Sequence, residues 1–430
     1  MRLSFCNVGY GECQLLIHND EITLIDGGSA DASTYEDVGT IRLLEVIELY
    51  KIRHIHNLII THAHYDHIAA IADLIKIPNL KIDNLIINQL LPPNFNACDE
   101  LSKGILDFED YRLWKYALKA YQNLISFLKN TNIRESNEHE ELFFKDGSSL
   151  EIMGLSESQK NERLLDLNSL INTQGQAFID SLNNLNRHEN NKSLSFILKL
   201  KHYKCLLTGD RQLWDSLDGK LPQCELLKLT HHGQKDGLPE VLLKNCQSNI
   251  FVICADKKRK YNSASIEVIN KIDHFCAHKQ KLAKTFITGI LKDKQNLDYT
   301  PASISFDDEL NESFDIVCSN HPIENHKSCF KKIIIKLKNN DILLPEDNYK
   351  YQVIYKKLQA NSSLVGEIKL KSQDFGSFAI KNSQDNDITY IQRNYPHKIE
   401  LVVFAKNLTT TFTLKNKDSL TITESFYYLI

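Results

Sequence analysis

The sequence predicts a mixed α/β domain over about residues 1–300, followed by a small all-β domain over 303–430. Three observations predict it. Short apolar strands alternate with helically spaced segments through the first ninety or so residues. The strand texture returns from Ser195. From about Ser303 the helical spacing disappears while strand-like runs continue.

Taken in order, Leu3, Phe5 and Asn7 alternate with Ser4 and Cys6 as in a strand. Gln14–Ile17 and Ile22–Ile25 flank Asn19-Asp20, a hairpin signal, and the second strand ends in Asp26-Gly27-Gly28. Ile41–Tyr50 has helical spacing. Asn57–Ile60 is an apolar strand that runs into Thr61-His62-Ala63-His64-Tyr65-Asp66-His67, and Ile68–Ile75 returns to helical spacing. Charged, polar stretches at about 92–145 and 156–191 read as helical insertions over a compact core. Ser195–Leu200 and Lys204–Thr208 form a second strand pair ending in Gly209-Asp210, and Leu226–Leu229 ends in Thr230-His231-His232-Gly233. Asn249–Cys254 and Thr285–Thr288 are further strands, with a helix near Ser265–His278 between them. Beyond them lie Lys332–Leu337, Tyr349–Tyr355, Val365–Leu370, Ile388–Ile391, Ile399–Phe404, Thr409–Leu414 and Leu420–Phe426, the short regular strands of a β-sandwich.

The 430 residues are 42% hydrophobic and carry a formal charge of -4, which supports a full core and excludes a uniformly basic nucleic-acid binder. A local basic groove remains compatible with that balance. The ten cysteines contain no CxxC pair and read as buried free thiols of a reducing compartment. With no targeting pattern and no apolar run of membrane length, the expectation is a cytoplasmic chain with no membrane partner.

The chemistry concentrates in His62-x-His64-x-Asp66-His67, four ligand-type residues within six positions directly after a strand. Imidazole and carboxylate together suit zinc, manganese or iron. Asp26, Asp210 and His231 also stand at strand ends, where α/β layers assemble their sites. An aspartate has two oxygens and can bridge two cations about 3.5–4 Å apart, with hydroxide between them. A solvated histidine-rich loop is the bland alternative, and Gly209-Asp210 alone would be an ordinary turn.

As an ordered set, His-x-His-x-Asp-His, Thr208-Gly209-Asp210 and Leu229-Thr230-His231-His232-Gly233 resemble the metallo-β-lactamase superfamily. The closer resemblance is to the branch with the corresponding domain of DNA-uptake competence proteins and their stand-alone relatives. Val8-Gly9-Tyr10-Gly11-Glu12, Leu24–Gly28, Asn190–Leu194 and Lys258–Ser263 match further motifs of that branch. The resemblance implies an αββα sandwich and two divalent cations, zinc or manganese. It implies His62 and His64 on the first cation, Asp66, His67 and His231 on the second, and Asp210 bridging. Asp26 would orient a ligand histidine from behind, and His232 would lie near the substrate or be a structural histidine. Asp66, Asp210 and His232 would thus carry the catalysis. Many superfamily members have a further histidine where this chain has Asn190, with His188 nearby, and either residue is a candidate neighbour of the first cation.

The resemblance points to phosphodiester hydrolysis, with DNA, RNA or a nucleotide as substrate. Lys258, Arg259 and Lys260 would neutralise phosphates and Tyr261 would stack a base beside Asn262, although a solvated basic loop explains the same run. A cyclic-nucleotide phosphodiesterase, a lactone or thioester hydrolase, and a catalytically weak binding or scaffold module are the alternatives. From Leu343 to Ile430 the chain loosely resembles immunoglobulin-like sensor domains of bacterial anti-phage defence proteins, which implies a ligand or protein partner at that end.

Overall fold

Two mixed sheets face each other across an apolar layer. The computed structural model describes residues 1–30, 40–91, 109–256, 259–279, 283–289, 303–307, 315–317, 328–338, 352–405, 408–415 and 417–429. The first sheet starts with Arg2–Cys6 (β1), Gln14–His18 (β2), Glu21–Ile25 (β3), His54–Ile60 (β4) and Lys81–Ile87 (β5). Asn132–Glu135 (β6) closes one edge of it. The second sheet holds His139–Phe143 (β7), Ser149–Met153 (β8), Ser195–Lys199 (β9) and Lys204–Leu207 (β10). Leu226–Lys228 (β11), Ile250–Ile253 (β12) and Lys284–Ile287 (β13) complete it. Leu3, Phe5, Ile25, Ile59 and Ile86 of the first sheet meet Leu150, Phe196, Leu198, Leu207 and Val252 of the second.

β3, β4 and β5 run parallel, as do β10, β11 and β12. Parallel strands buried on both faces become nearly continuous apolar runs, which is why Leu58-Ile59-Ile60 and Leu85-Ile86-Ile87 show no alternation. Leu43–Leu49 (α1) and the turns around Tyr65–Ile68 (α2) cover the outer face of the first sheet. Glu109–Phe127 (α3), Glu157–Ile171 (α4) and Gly175–Glu189 (α5) form the helical insertion. Ser156 opens α4 with a reciprocal capping box to Gln159. Trp114, Leu118, Leu167, Phe178 and Leu182 of these helices share a small core with Ala63, so the insertion sits directly on the histidine loop. Glu240–Cys246 (α6) and Ile266–His278 (α7) cover the second sheet.

Two expected boundaries move. Within the expected 92–145 insertion, residues 92–108 lie outside the described residues, 109–127 are helical, and 132–135 and 139–143 are strands of the two sheets. Ser303–Asp307 (β14) pairs antiparallel with β1, from Arg2↔Asp307 to Cys6↔Ser303, and Asp315–Val317 (β15) extends that edge. The first sheet thus runs β15-β14-β1-β2-β3-β4-β5-β6 and takes residues that the sequence reading gave to the second domain. A run of five residues pairs as readily with a distant edge as with a neighbour, and its own sequence does not say which.

The C-terminal β-sandwich has a five-stranded sheet made of Ser328–Leu337 (β16), Gln352–Leu358 (β17), Ile388–Asn394 (β20), Lys398–Val403 (β21) and Leu420–Leu429 (β23). Ser363–Leu370 (β18), Gln373–Asn382 (β19) and Leu408–Leu414 (β22) form the facing three-stranded sheet. β19 was not expected, because Asp374, Gly376 and Ser377 break its apolar pattern. The other seven agree with expected strands apart from their ends. The outer face of the larger sheet packs on α1: Ile391 and Val402 enter the first domain's core. Buried charges accompany them. Arg393 Nη1 lies 2.5 Å from Glu45 Oε1, Arg42 Nη2 3.2 Å from Glu400 Oε1, and Lys398 Nζ 2.9 Å from the same oxygen.

No helix among the described residues is long and apolar enough to cross a membrane. Cys6, Cys13, Cys205, Cys224, Cys246, Cys254 and Cys276 are buried free thiols.

Candidate metal centre

The carboxyl ends of β3 and β4 meet those of β10 and β11 at one edge of the sandwich. There Asp66, His67, Asp210 and His232 each offer a ligand atom, all within 4.8 Å of one another. His67 Nε2 is 3.3 Å from Asp210 Oδ2 and 3.9 Å from Asp66 Oδ2. His232 Nε2 is 3.0 Å from Asp66 Oδ2 and 3.4 Å from Asp210 Oδ2. Each ring is fixed through its other nitrogen. His67 Nδ1 lies 2.7 Å from Asp26 Oδ2, and His232 Nδ1 lies 2.9 Å from the Cys254 carbonyl. Asp26 in turn accepts the Thr61 N–H at 2.8 Å and the Thr61 hydroxyl at 2.7 Å. Anchoring one imidazole nitrogen aims the other, the usual preparation of a metal-ligating histidine.

Beside this quartet, His62 Nε2 and His64 Nδ1 lie 3.0 Å apart. Two nitrogens on one tetrahedral zinc at about 2.0–2.1 Å would be roughly 3.3 Å apart, so the pair is already close to a shared-cation geometry.

Burial alone would lower the His232 pKa, but Asp210 and Asp66 outweigh it and push it up to about 10. Burial also works against charge on His67, and Asp210, Asp26 and Asp66 raise its pKa well above the imidazole range. Asp210 stays well below the carboxylate range although burial opposes it, because His232 and His67 face it. His62 and His64 are lowered, first by burial. One pair of imidazoles is therefore held neutral, and the other carries protons only to balance carboxylates. Divalent cations would replace those protons and use the same lone pairs. His67 Nε2, His232 Nε2 and Asp210 Oδ1 are buried without a hydrogen-bond partner, as a cation site requires. The donor set fits.

Two buried ion pairs hold the loops that carry these groups. Glu12 accepts from Lys228 Nζ, which also donates to the Gly209 carbonyl at 2.9 Å. The Glu12 N–H donates to the Asp66 carbonyl at 3.1 Å. The Asp66 and Asp210 loops, one on each sheet, are thus tied through one pair beneath the site. Gly11 lies against Asp66 with φ +136, where a Cβ would run into the Asp66 carbonyl. On the other side Glu189 accepts the Ala63 N–H at 3.0 Å and pairs with Arg163, whose Nε and Nη2 lie 2.9 and 2.8 Å from its oxygens. Neither pair was read from sequence, since the partners lie 216 and 26 positions apart. Asp256 was also missed, although it stands at a strand end as Asp26 and Asp210 do; it accepts the Lys260 N–H at 2.9 Å.

The double histidine corrects the expectation. His232, not His231, turns to the carboxylates. His231, His232 and Gly233 take φ of 49, 52 and 62 in succession, and this left-handed coil points the second imidazole inward. His231 faces the cavity mouth, with Nδ1 2.9 Å from Gln212 Nε2 and 3.0 Å from Asp236 Oδ1. His188 turns away to Asp166, 3.1 Å off, whereas Asn190 lines the cavity with Oδ1 buried and unpartnered. Lys258 lies outside the described residues. Arg259 braces its own turn through the Ser263 and Ala264 carbonyls, and Asn262 does not line the cavity. Lys260 Nζ lies 5.4 and 5.0 Å from the ring centroids of Tyr10 and Tyr261.

The cavity over the site measures about 390 Å³. His64, Asp66 and Asp210 line its floor, Trp114 and Arg187 of the insertion one wall, and Tyr10 and Tyr261 are also among its lining residues.

Residues 7–83 match the model of the metallo-beta-lactamase superfamily. No curated protein matches the chain in sequence. Among solved structures the chain is similar to the metallo-beta-lactamase fold protein YhfI from Bacillus subtilis, at 11% identity and TM-score 0.37, covering 67% of this chain and 97% of that one. It is similar to human tRNase Z, short form, at 12% identity and TM-score 0.32, covering 68% and 97%. It is also similar to Zn(2+)-bound PqqB from Methylobacterium extorquens, at 8% identity and TM-score 0.35, covering 67% and 98%. The segment that matches the metallo-beta-lactamase superfamily model carries Asp26 and the whole histidine loop.

Proposed function

We propose that the chain is a metal-dependent phosphodiester hydrolase acting on nucleic acid or nucleotides. One observation carries this reading: buried, preoriented donors of both sheets converge at a cavity lined by Arg187 and by the Tyr10 and Tyr261 rings, over which Lys260 lies. Cations and aromatic faces suit a phosphate ester of a base better than the apolar acyl group of a lactone or thioester.

His67, His232, Asp66 and Asp210 together with His62 and His64 would hold two divalent cations. Held there, such cations supply Lewis acidity that eases deprotonation of water and stabilises charge on phosphoryl oxygens. The chain's own part is to fix the donors: Asp26 and the Cys254 carbonyl set the two rings, and the Glu12–Lys228 pair sets the loops. Asn190 adds an amide oxygen facing the same space. Oxygen donors favour harder cations, so manganese is a candidate beside zinc.

The test is metal content per chain together with hydrolysis of single-stranded DNA, RNA, a cyclic dinucleotide, a lactone and a thioester in added Mn²⁺ or Zn²⁺. The reading expects about two cations per chain and phosphodiester cleavage. A lactone or thioester turned over in preference to every phosphodiester would overturn it.

A further inference from the structure

The cavity has a definite size and two unlike walls, and these restrict the substrate. At about 390 Å³ it is at the small end of ligand sites, which run to roughly 1,000 Å³. Trp114, buried and braced on two sides, belongs to one wall. Its indole N–H donates to Asn186 Oδ1 at 2.7 Å, and its ring stands edge-on to His64 with centroids 5.6 Å apart. The next residue along α5, Arg187, is exposed and lines the cavity, and among the described residues no carboxylate pairs with it. The second wall is built under strain. Arg259, Tyr261, Asn262 and Ala264 all take φ between 50 and 57, values that cost a bulky side chain energy. Backbone bonds from Ala264 N to the His232 carbonyl (2.9 Å) and Ser265 N to the Gly233 carbonyl (2.8 Å) maintain the turn. Its outcome is Tyr261, 46% exposed, with its ring 5.2 Å from that of Tyr10 at the cavity's edge.

We propose that the cavity receives one nucleotide unit at a time, presented by a strand end or by a free dinucleotide. Tyr261 and Tyr10 lie against the base, and Arg187 binds the phosphate next to the one being cleaved. The inference rests on the phosphodiesterase reading and narrows it. Water adds to phosphorus, the ester P–O bond breaks, and the proton of the water ends on the departing alcohol; no further reactant is needed. A strand without ends cannot place a single unit between these walls.

Five substrates decide it: bis(p-nitrophenyl) phosphate, a linear single strand, its covalently closed circle, and the dinucleotides pTpT and TpT. The expected result is release of mononucleotides from the linear strand, with the circle at least about 100-fold slower. pTpT should have a KM about tenfold below that of TpT. Arg187→Ala should erase that preference by raising the KM for pTpT to that of TpT. A circle cut as fast as the linear strand, or a pTpT preference that survives Arg187→Ala, overturns the inference while the phosphodiesterase reading stands. If bis(p-nitrophenyl) phosphate is inert with every cation, the hydrolase reading fails. Thymidine monophosphate binding, read by Trp114 fluorescence, then decides the pocket: it should be weakened about tenfold in Arg187→Ala, and absence of binding to the parent protein sinks the proposal.

Discussion

The molecule contains two buried ionic clusters of similar density and opposite character. At the sandwich edge Asp66, His67, Asp210 and His232 converge, Asp66 and Asp210 line a cavity, and Asp210 Oδ1 and both imidazole Nε2 atoms have no hydrogen-bond partner. Between α1 and the C-terminal sheet, Glu45, Arg393, Arg42, Glu400 and Lys398 are also buried, yet opposite charges there meet within 2.5–3.2 Å and none of these residues lines the cavity over the site. Burial of charge therefore does not by itself mark chemistry. What separates the clusters is their chemistry and place: imidazoles and carboxylates beside a cavity in one, carboxylates paired with guanidinium and ammonium groups away from it in the other.

The largest effect expected from this contrast is at the open cluster. Asp210→Asn should lower turnover at least about 1,000-fold, roughly 4 kcal/mol of barrier, and reduce bound metal, with little change in thermal midpoint. His232→Ala should do the same, whereas His231→Ala should keep its metal. Metal analysis of the two alanine variants checks the histidine assignment directly, and metal loss confined to His231→Ala would reverse it.

At the closed cluster the expectation inverts. Glu400→Ala leaves cations buried without their partner and should cost about 3–5 kcal/mol of stability, measured by urea unfolding, with metal content of the folded fraction unchanged. An unaltered midpoint would mean the interface is looser than its geometry.

A smaller effect follows from Lys332 in the same interface. Burial first, and then Arg42 and Arg393, lower its pKa to about 8 against the pull of Glu400 and Glu45. Below pH 8 the amine is charged whether the chain is folded or not. Between 8 and its ordinary value the unfolded chain holds the proton more tightly, so stability from this group rises with pH across that window. Relative to Lys332→Met, the parent protein should gain on the order of 1–3 kcal/mol from pH 7.5 to 10. Parallel pH profiles for the two proteins would refute the assignment. Glu400 runs the other way: burial opposes its charge, but Arg42, Lys398 and Lys332 hold its pKa below the usual range, and its contribution is lost on acidification.

The smallest effect is expected at the rim. Lys260→Ala should lower the salt slope of single-strand binding by about 0.7, and an unchanged slope would return Lys260 to a purely structural role over Tyr10 and Tyr261.

How much of this the sequence made legible follows from distance along the chain. His62, His64, Asp66 and His67 could be read because they crowd into six positions after a buried strand. The two-sheet core could be read because its strands are short, apolar and punctuated. The choice between His231 and His232 could not, since it depends on a left-handed coil that two adjacent identical residues do not announce. Arg163 and Glu189 were hidden because each looks like an ordinary solvated residue of a polar helix until α4 and α5 pack. β19 was hidden by Gly376, which in the sheet lies tight against the Thr413 carbonyl with φ +125.

The pairing of β14 with β1 has a consequence in time. β1 leaves the ribosome about 300 residues ahead of its partner Ser303–Asp307. At roughly 5–20 residues per second, the hydrogen-bonding edge of β1 waits on the order of 15–60 s for cover. During that interval Leu3 and Phe5 sit on an open strand edge of a growing chain, the arrangement most prone to pairing with a neighbouring nascent chain. Yield in a cell should therefore depend on elongation rate and on chaperones that shield β1 more than on the final stability of the sandwich.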